Sequence, residues 1–424
     1  MKFKTQLSDL NQALTRASII KPKEDLSGIS GFLMVARGET CFLYSEDEDS
    51  FQRTRVSIPI TELEEEGSMI LPSRAAAPLS VLEGEVTFTS KLEDGAHQVL
   101  YETSGGAEQT MPTLDARYLN SLDEDYEAAE KVSSFSPAVL RDALQQVKPF
   151  MPADSADPKV KDTHKCLQIM DDSKPEWAEG NGTAYGTTGS KSCYYYCDGL
   201  KGHGLSLHGL RVPLLLKFLS KTTEDITFKK SGTSSYFVTE DGNHVIGWSD
   251  SVTPHKKFDY YTLAGDTHIL RLTQSVMVKN LEYIRKSLDP KQDRVRIQYD
   301  HEKGMIRIHA ADNGATTVSP PIGVVPLSPE DGTEENPIVG GLKSKTEGFA
   351  CNFSVNNLLD MIGPAKGYDV QLRVAPFPKR DGAFLFRTIE AYSINGDGKV
   401  VIPGNEEEDK VYQCQVTRFS LSRG

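Results

Sequence analysis

The sequence predicts an α+β protein made of one module used three times, each module two helices backed by antiparallel β-sheet. A recurring order of strand, short helix and β-hairpin is the first observation behind this. It is clearest from Gly204 (GLSLHGLRVPLLLKFLSKTTEDITFKKSGTSSYFVTEDGNHVIGWSD). It returns from Gly67 (GSMILPSRAAAPLSVLEGEVTFTSKLEDGAHQVLYETSG) and from Gly348 (GFACNFSVNNLLDMIGPAKGYDVQLRVAPFPKRDGAFLFRTIEA). The second observation is the spacing of the copies, about 140 residues, too long for a solenoid unit and right for a whole domain. The expected modules are 1–131, 132–265 and 266–424.

The chain of 424 residues is long enough for several buried cores, and 38% hydrophobic with 25% charged residues is ordinary for a soluble protein. No apolar run reaches the length needed to span a bilayer, and MKFKTQ leads straight into a strand pattern rather than a signal region. Six cysteines scattered over the chain do not form a disulfide framework. A cytoplasmic protein is expected. The net charge of −13 argues against a protein that wraps nucleic acid with its whole surface, so the placement of its 47 Lys and Arg residues becomes the question.

In module one a strand, Met1 to Gln6, precedes a helix with Leu10, Leu14 and Ala17 at helical spacing. Strands are expected at Gly31 to Tyr44 and Phe51 to Ile60, then a short helix from Ser73 to near Gly84, and a polar linker from Asp115 to Lys131. Module two opens with Ser136 and Pro137 as N-cap and first turn, and Leu140, Leu144 and Val147 form the apolar stripe. Strands follow at Cys166 to Met170 and Thr183 to Cys197, and Pro254 to Leu263 closes the module. Module three has a strand at His268 to Leu272 and a helix burying Met277, Leu281, Ile284 and Leu288. Hairpin strands are expected at Arg294 to Tyr299 and Met305 to Ala310, a loop insertion over about 312–347, and a last strand from Val411 to Phe419.

These residues resemble the bacterial β-type DNA sliding clamp, the ring-shaped processivity factor of replicative polymerases. The resemblance rests on the opening MKF strand, Leu71-Pro72-Ser73-Arg74, Thr110-Met111-Pro112 with Tyr118-Leu119, and Phe353-Ser354-Val355-Asn356-Asn357-Leu358-Leu359-Asp360, collinear over nearly the whole chain. It implies a non-enzymatic, cofactor-free protein whose modules assemble, as a head-to-tail homodimer, into a ring around duplex DNA. Simple geometry agrees: twelve helices packed about 10 Å apart give a circumference of roughly 120 Å and a hole near 28 Å, wider than a duplex of roughly 20 Å. Such a ring holds DNA by topology and needs only weak, sequence-blind contacts.

The basic residues expected to face DNA are Arg16, Lys21, Lys23, Arg74, Arg141, Lys148, Lys159, Lys161, Lys217, Lys221, Lys279, Lys286 and Lys366. Arg141 and Lys148 share a helix face, and Lys279 and Lys286 repeat that spacing. Beside an apolar stripe each could be an ordinary solvated side chain; as a set, in a chain this acidic, they favour a lining.

The resemblance also implies a pocket for polymerase and clamp-loader peptides, placed by position at Thr187, Gly189, Lys191, Leu205, Leu207, Pro254, Phe258, Val416 and Arg418. Here the chain departs from the family, with Thr187-Thr188-Gly189-Ser190-Lys191-Ser192 where the family commonly has Thr-Asp-Gly-His-Arg-Leu. Such divergence suits a virus that carries its own clamp. The subunit junction is expected at Gly106 and Glu108 on one side and at Ile284, Arg285, Lys286 and Leu288 on the other, with Glu108 facing Arg285 or Lys286.

Other readings fit less well. Cys193, Cys197, His203 and His208 have a spacing faintly like a zinc site, but the intervening tyrosines read as plain sheet. Ser393 to Gly398 resembles the start of a calcium loop, yet Gly404 stands where the bidentate Glu belongs. No P-loop, dinucleotide fingerprint, nucleophile elbow or zinc-protease motif is present. The alternative from another class is a virion or scaffold protein of repeated β-rich modules, which needs no basic helical wall.

Overall fold

The computed structural model describes residues 1–22, 30–47, 52–118, 123–152, 162–170, 182–188, 191–249, 266–312, 315–326, 343–344, 348–363, 369–381, 384–394 and 412–420. The chain divides into two compact units, Met1–Arg141 with Pro213–Ser251, and Asp142–Val212 with Val252–Gly424.

Strand β1 (Lys2–Gln6) leads into helix α1 (Leu7–Ala17). Strands β2 (Gly31–Arg37), β3 (Thr40–Asp47), β4 (Gln52–Pro59), β5 (Glu62–Glu65) and β6 (Gly67–Pro72) follow, then the short helix α2 (Ala76–Leu79). Next come β7 (Glu85–Glu93), β8 (Ala96–Thr103), β9 (Glu108–Pro112), the short α3 (Asp123–Glu127), β10 (Glu130–Phe135) and α4 (Pro137–Val147). Strands β11 (Cys166–Met170), β12 (Gly182–Thr187), β13 (Lys191–Cys197) and β14 (Leu205–His208) precede α5 (Val212–Leu219). Then β15 (Ile226–Ser231), β16 (Ser234–Thr239), β17 (His244–Ser249), β18 (Asp266–Thr273) and α6 (Gln274–Ser287) follow. The rest comprises β19 (Arg294–Asp300), β20 (Met305–Asp312), β21 (Ala315–Val318), β22 (Ile322–Gly323), β23 (Val325–Pro326) and β24 (Lys343–Ser344). It closes with β25 (Phe349–Ser354), α7 (Val355–Ile362), β26 (Asp369–Asp381), β27 (Phe384–Ile394) and β28 (Tyr412–Ser420).

In the first unit a five-stranded sheet runs β5-β1-β7-β8-β9, and an eight-stranded sheet runs β10-β15-β16-β17-β4-β3-β2-β6. In the second, a ten-stranded sheet runs β14-β11-β12-β13-β28-β27-β26-β18-β23 with β24 beside β18, and a five-stranded sheet runs β21-β20-β19-β25 with β22 beside β20. Two orders recur three times. One is β6-β2-β3-β4, repeated as β14-β11-β12-β13 and β25-β19-β20-β21; the other is β1-β7-β8-β9, repeated as β10-β15-β16-β17 and β18-β26-β27-β28.

Each long sheet joins the two orders end to end, through β17 with β4 and β13 with β28, so the sheets run across the repeat boundaries read from sequence.

The helices are made by their apolar stripes. Leu7, Leu10, Ala13, Leu14 and Ala17 bury one face of α1, with Asp9 in its first turn and Arg16 in its last, the charge order its dipole favours. Helix α6 buries Met277, Leu281 and Ile284 and packs on β20 and α7. The Ser354 side chain accepts a hydrogen bond from the Asn357 amide and so caps α7.

Four expectations change. The strand expected over Gly31 to Tyr44 is two strands, because Gly38 takes φ +55° and closes a two-residue turn in which Arg37 pairs with Thr40. The strand expected over Thr183 to Cys197 is likewise β12 and β13, with Thr187 opposite Ser192. The region expected to be a loop over 312–347 holds β21 to β24, and the linker from Asp115 to Lys131 holds α3 and the start of β10. The closing stretch Pro254 to Leu263 lies outside the described residues. No helix among the described residues is long and apolar enough to cross a membrane.

Candidate nucleic-acid interface

In the first unit, α1 and α5 bring basic residues together. Arg16 is half-buried in the last turn of α1, and Lys221, just past α5, donates from Nζ to the Thr15 carbonyl oxygen at 2.8 Å. A cation there satisfies a carbonyl near the helix C-terminus, where partners are short. Lys217 lies one turn back on α5 and is exposed. Behind these side chains sits His244, its ring edge-on to Phe218 with centroids 4.7 Å apart. Burial, then Arg16, then Lys221 depress its pKa to about 3, with Asp241 opposing, so the imidazole is neutral near pH 7 and adds no charge to the cluster.

Arg74 is exposed in the tight turn that leads into α2, which packs on α1, and Lys21 is exposed beyond the end of α1. Arg141 is half-buried on α4, and Lys148 is exposed in the turn after it. In the second unit α6 exposes Lys279 and Lys286. On the same face stand Val276 and Tyr283, 41% and 52% exposed, which sequence reasoning passed over although Tyr283 lies four residues from Lys279. Lys23, Lys159, Lys161 and Lys366 lie outside the described residues.

Of the residues expected in a peptide pocket, Thr187, Lys191 and Val416 fall on the adjacent strands β12, β13 and β28, with Ser192 opposite Val416 and Lys191 opposite Thr417. Arg418 lies further along β28, opposite Thr388 of β27. Thr187 is buried and donates from Oγ1 to the Lys191 carbonyl at 2.9 Å, while Ser192 Oγ donates to Thr187 Oγ1 at 2.8 Å. Lys191 Nζ pairs with Asp360 Oδ2 of α7 at 2.5 Å and lies over the Phe150 ring, 5.5 Å from its centroid. Asp360 was no part of the expected site, since nothing in the spacing links residues so far apart in the chain. Leu205 and Leu207 are buried on β14, two strands from β12 in the same sheet. Gly189, Pro254 and Phe258 lie outside the described residues.

At the expected junction, Gly106 is exposed at φ +83° in the turn before β9, and Glu108 is exposed at the start of that edge strand. Arg285 and Lys286 are exposed on α6. Ile284 and Leu288 are 0% and 8% exposed within the single chain, Ile284 on the stripe that α6 packs into its own core and Leu288 at the end of that helix. Among the described residues no group of three or more His, Cys, Asp or Glu side chains is placed to hold a metal, and His208 Nδ1 accepts from the Leu210 amide at 3.2 Å.

No protein-family model matches the sequence, and no curated relative matches it. Solved structures do match. The DNA polymerase III subunit beta from Pseudomonas aeruginosa superposes with a TM-score of 0.72 at 14% identity, over 99% of this chain and 100% of that one. Caulobacter crescentus pol III beta gives 0.71 at 14%, over 100% of both chains, and the DNA polymerase sliding clamp from Bacillus subtilis gives 0.71 at 14%, also over 100% of both. The fold is that of a DNA sliding clamp subunit. More narrowly, it is the fold of the bacterial DNA polymerase III beta subunit over the full length of the chain, as the sequence resemblance implied.

Proposed function

We propose that this chain is a DNA sliding clamp, a processivity factor that encircles duplex DNA without reading its sequence and tethers a polymerase to it. The observation that carries this reading is the pattern of paired and open sheet edges. Inside the chain, β17 meets β4 and β13 meets β28, each time the last strand of one recurring order against the last strand of the other. The two remaining last strands are β9 and β21, and both stand at the open edge of a five-stranded sheet. A second copy set head to tail offers β21 to β9 and β9 to β21, which leaves neither edge open and closes a ring of six modules.

The basic residues of the helices then face the duplex as a weak lining, and the site around Thr187, Lys191 and Val416 takes short peptides of polymerase and clamp loader. The modules 1–131, 132–265 and 266–424 act as ring segments; the protein is not an enzyme, uses no cofactor and works without a membrane, in the cytoplasm at the nucleoid or, if a virus carries it, in the host cytoplasm. The junction strands expose mainly polar residues, Glu108, Gln109 and Thr110 of β9 and Thr316 of β21, beside Val318 of β21. Pairing of Glu108 with Arg285 or Lys286 makes closure sensitive to ionic strength. Sedimentation at low and high salt is expected to show a dimer that dissociates as salt rises; a dimer equally tight in both would remove the electrostatic junction.

The central experiment loads the protein on nicked circular duplex and then linearises the circle. Retention on the circle with release from free ends is the expected result. Equal retention on linear DNA would overturn encirclement.

A further inference from the structure

Outward of the helices, the five-stranded sheet of the second unit carries a concentration of positive charge that a DNA-facing helical wall does not use. Strand β19 turns Val295, Ile297 and Tyr299 inward and leaves Arg294, Arg296 and Gln298 exposed. Strand β20 buries Ile306 and Ile308 on the face packed against α6 and exposes Arg307, with His309 half-buried beside it. The register sets Arg296 opposite His309, Gln298 opposite Arg307 and, on the other side, Arg296 opposite Asn352 of β25.

Among the described residues no carboxylate pairs with Arg294, Arg296 or Arg307. Asp300, at the end of the strand, is taken by Lys303 at 3.0 Å. His309 Nε2 is buried with no hydrogen-bond partner, and burial, then Arg296 and Arg307, hold its pKa below the usual value. None of the three arginines stands directly opposite a carboxylate across the ladder, so the sheet gains no cross-strand ion pair from gathering them in a chain of net charge −13.

We propose that this face binds the phosphate backbone of a single nucleic-acid strand. Arginines two apart on a strand stand roughly 7 Å from each other, with neighbouring strands about 4.8 Å away, so guanidinium forks can grip successive phosphates of an extended backbone. The amides of Gln298 and Asn352 lie among them and can both donate and accept. An acidic peptide fits less well, because sheet recognition of peptides uses an open edge and side-chain pockets, and this face offers a flat array of long polar side chains. The site is on the sheet face opposite α6 and does not require a ring.

The test is fluorescence anisotropy of fluorescein-labelled (dT)20 titrated with the full chain at several salt concentrations. The triple variant Arg294→Ala, Arg296→Ala, Arg307→Ala is expected to weaken binding at least tenfold and to lower the slope of log affinity against log salt by about 2, near 0.7 for each lost phosphate contact. Its thermal unfolding and its retention on circular duplex should match the parent. The proposal is overturned by an unchanged affinity and slope, by a blunt 20-base-pair duplex bound through these arginines as tightly as (dT)20, or by a poly-glutamate peptide that displaces (dT)20 at lower concentration. Should no variant be retained on circles, the ring reading fails while arginine-dependent binding of (dT)20 stands or falls separately.

Discussion

Strands β2 and β3 in the first unit and β19 and β20 in the second hold the same place in a recurring sheet, yet their outward faces have opposite chemistry. Both pairs bury an inward row, Phe32, Met34, Cys41 and Leu43 in one, Val295, Ile297, Ile306 and Ile308 in the other. Outward, the first pair presents Leu33, Val35, Phe42 and Tyr44, which pack with Ala116, Tyr126 and Ala129 from the segment between β9 and β10. Tyr126 is held there by cations, with the Arg55 guanidinium 4.6 Å and Lys229 Nζ 4.4 Å from its ring centroid. The second pair presents Arg294, Arg296 and Arg307 to solvent. The fold therefore dictates the inward row, and the outward row follows from what the chain lays over it.

The largest expected effect comes from giving the covered face the chemistry of the bare one. Val35→Arg forces a cation into a site 7% exposed, beneath the α3 segment. A loss of about 3 kcal/mol or more in a urea unfolding curve is expected, the range for an unpaired buried charge. A smaller effect comes from Tyr126→Ala, which uncovers the patch and removes both cation contacts. It should cost about 2 kcal/mol, since the ring is only half-buried. Hydrogen exchange of the β2 and β3 amides should rise in that variant; unchanged protection would mean the segment does not cover the sheet.

The two units also differ in how they hold a histidine. His244 is buried among Phe218, Arg16 and Lys221, whereas His309 lies half-buried on the arginine face. A folded-state pKa of about 3 lies below the ordinary value of 6.5, so the unfolded chain binds the proton first as pH falls. Stability is complete above pH 6.5 and declines through the window down to about pH 3, at most about 1.4 kcal/mol for each pH unit. The variant His244→Gln should show a shallower fall of its unfolding midpoint across that window. Parallel curves for the two proteins would show that His244 titrates normally.

Much of this was legible in the sequence, for identifiable reasons. The alternation in RVRIQYD and the unbroken apolar run in GFLMVA distinguish a strand with one bare face from a strand covered on both, and the burial patterns agree. Helix α6 was readable from Met277, Leu281 and Ile284. The same stripe accounts for the burial of Ile284 within the single chain. The turn at Gly38 does leave a signal, the polar break Arg37-Gly38-Glu39-Thr40 between two apolar runs, which a reading of the whole stretch as one strand overlooks. Tyr126 was read as part of a polar linker, since its value lies in two cations distant in sequence. The joining of sheets across repeats and the Lys191–Asp360 pair depend on contacts between far-apart segments, which periodicity cannot report.

The smallest expected effect is on the bare face, and it separates the two regions most sharply. Arg296→Val together with Arg307→Val removes two exposed cations, relieves repulsion around His309 and adds β-branched residues suited to a strand. Nothing lies over these side chains to be lost, so the urea midpoint should shift by no more than about 0.5 kcal/mol in either direction. A loss as large as that of Val35→Arg would mean that the arginines brace the sheet. Near-neutral stability combined with weakened (dT)20 binding would show that the third copy of the sheet retains its outward charge for a ligand, where the first spends the same positions on holding its own chain.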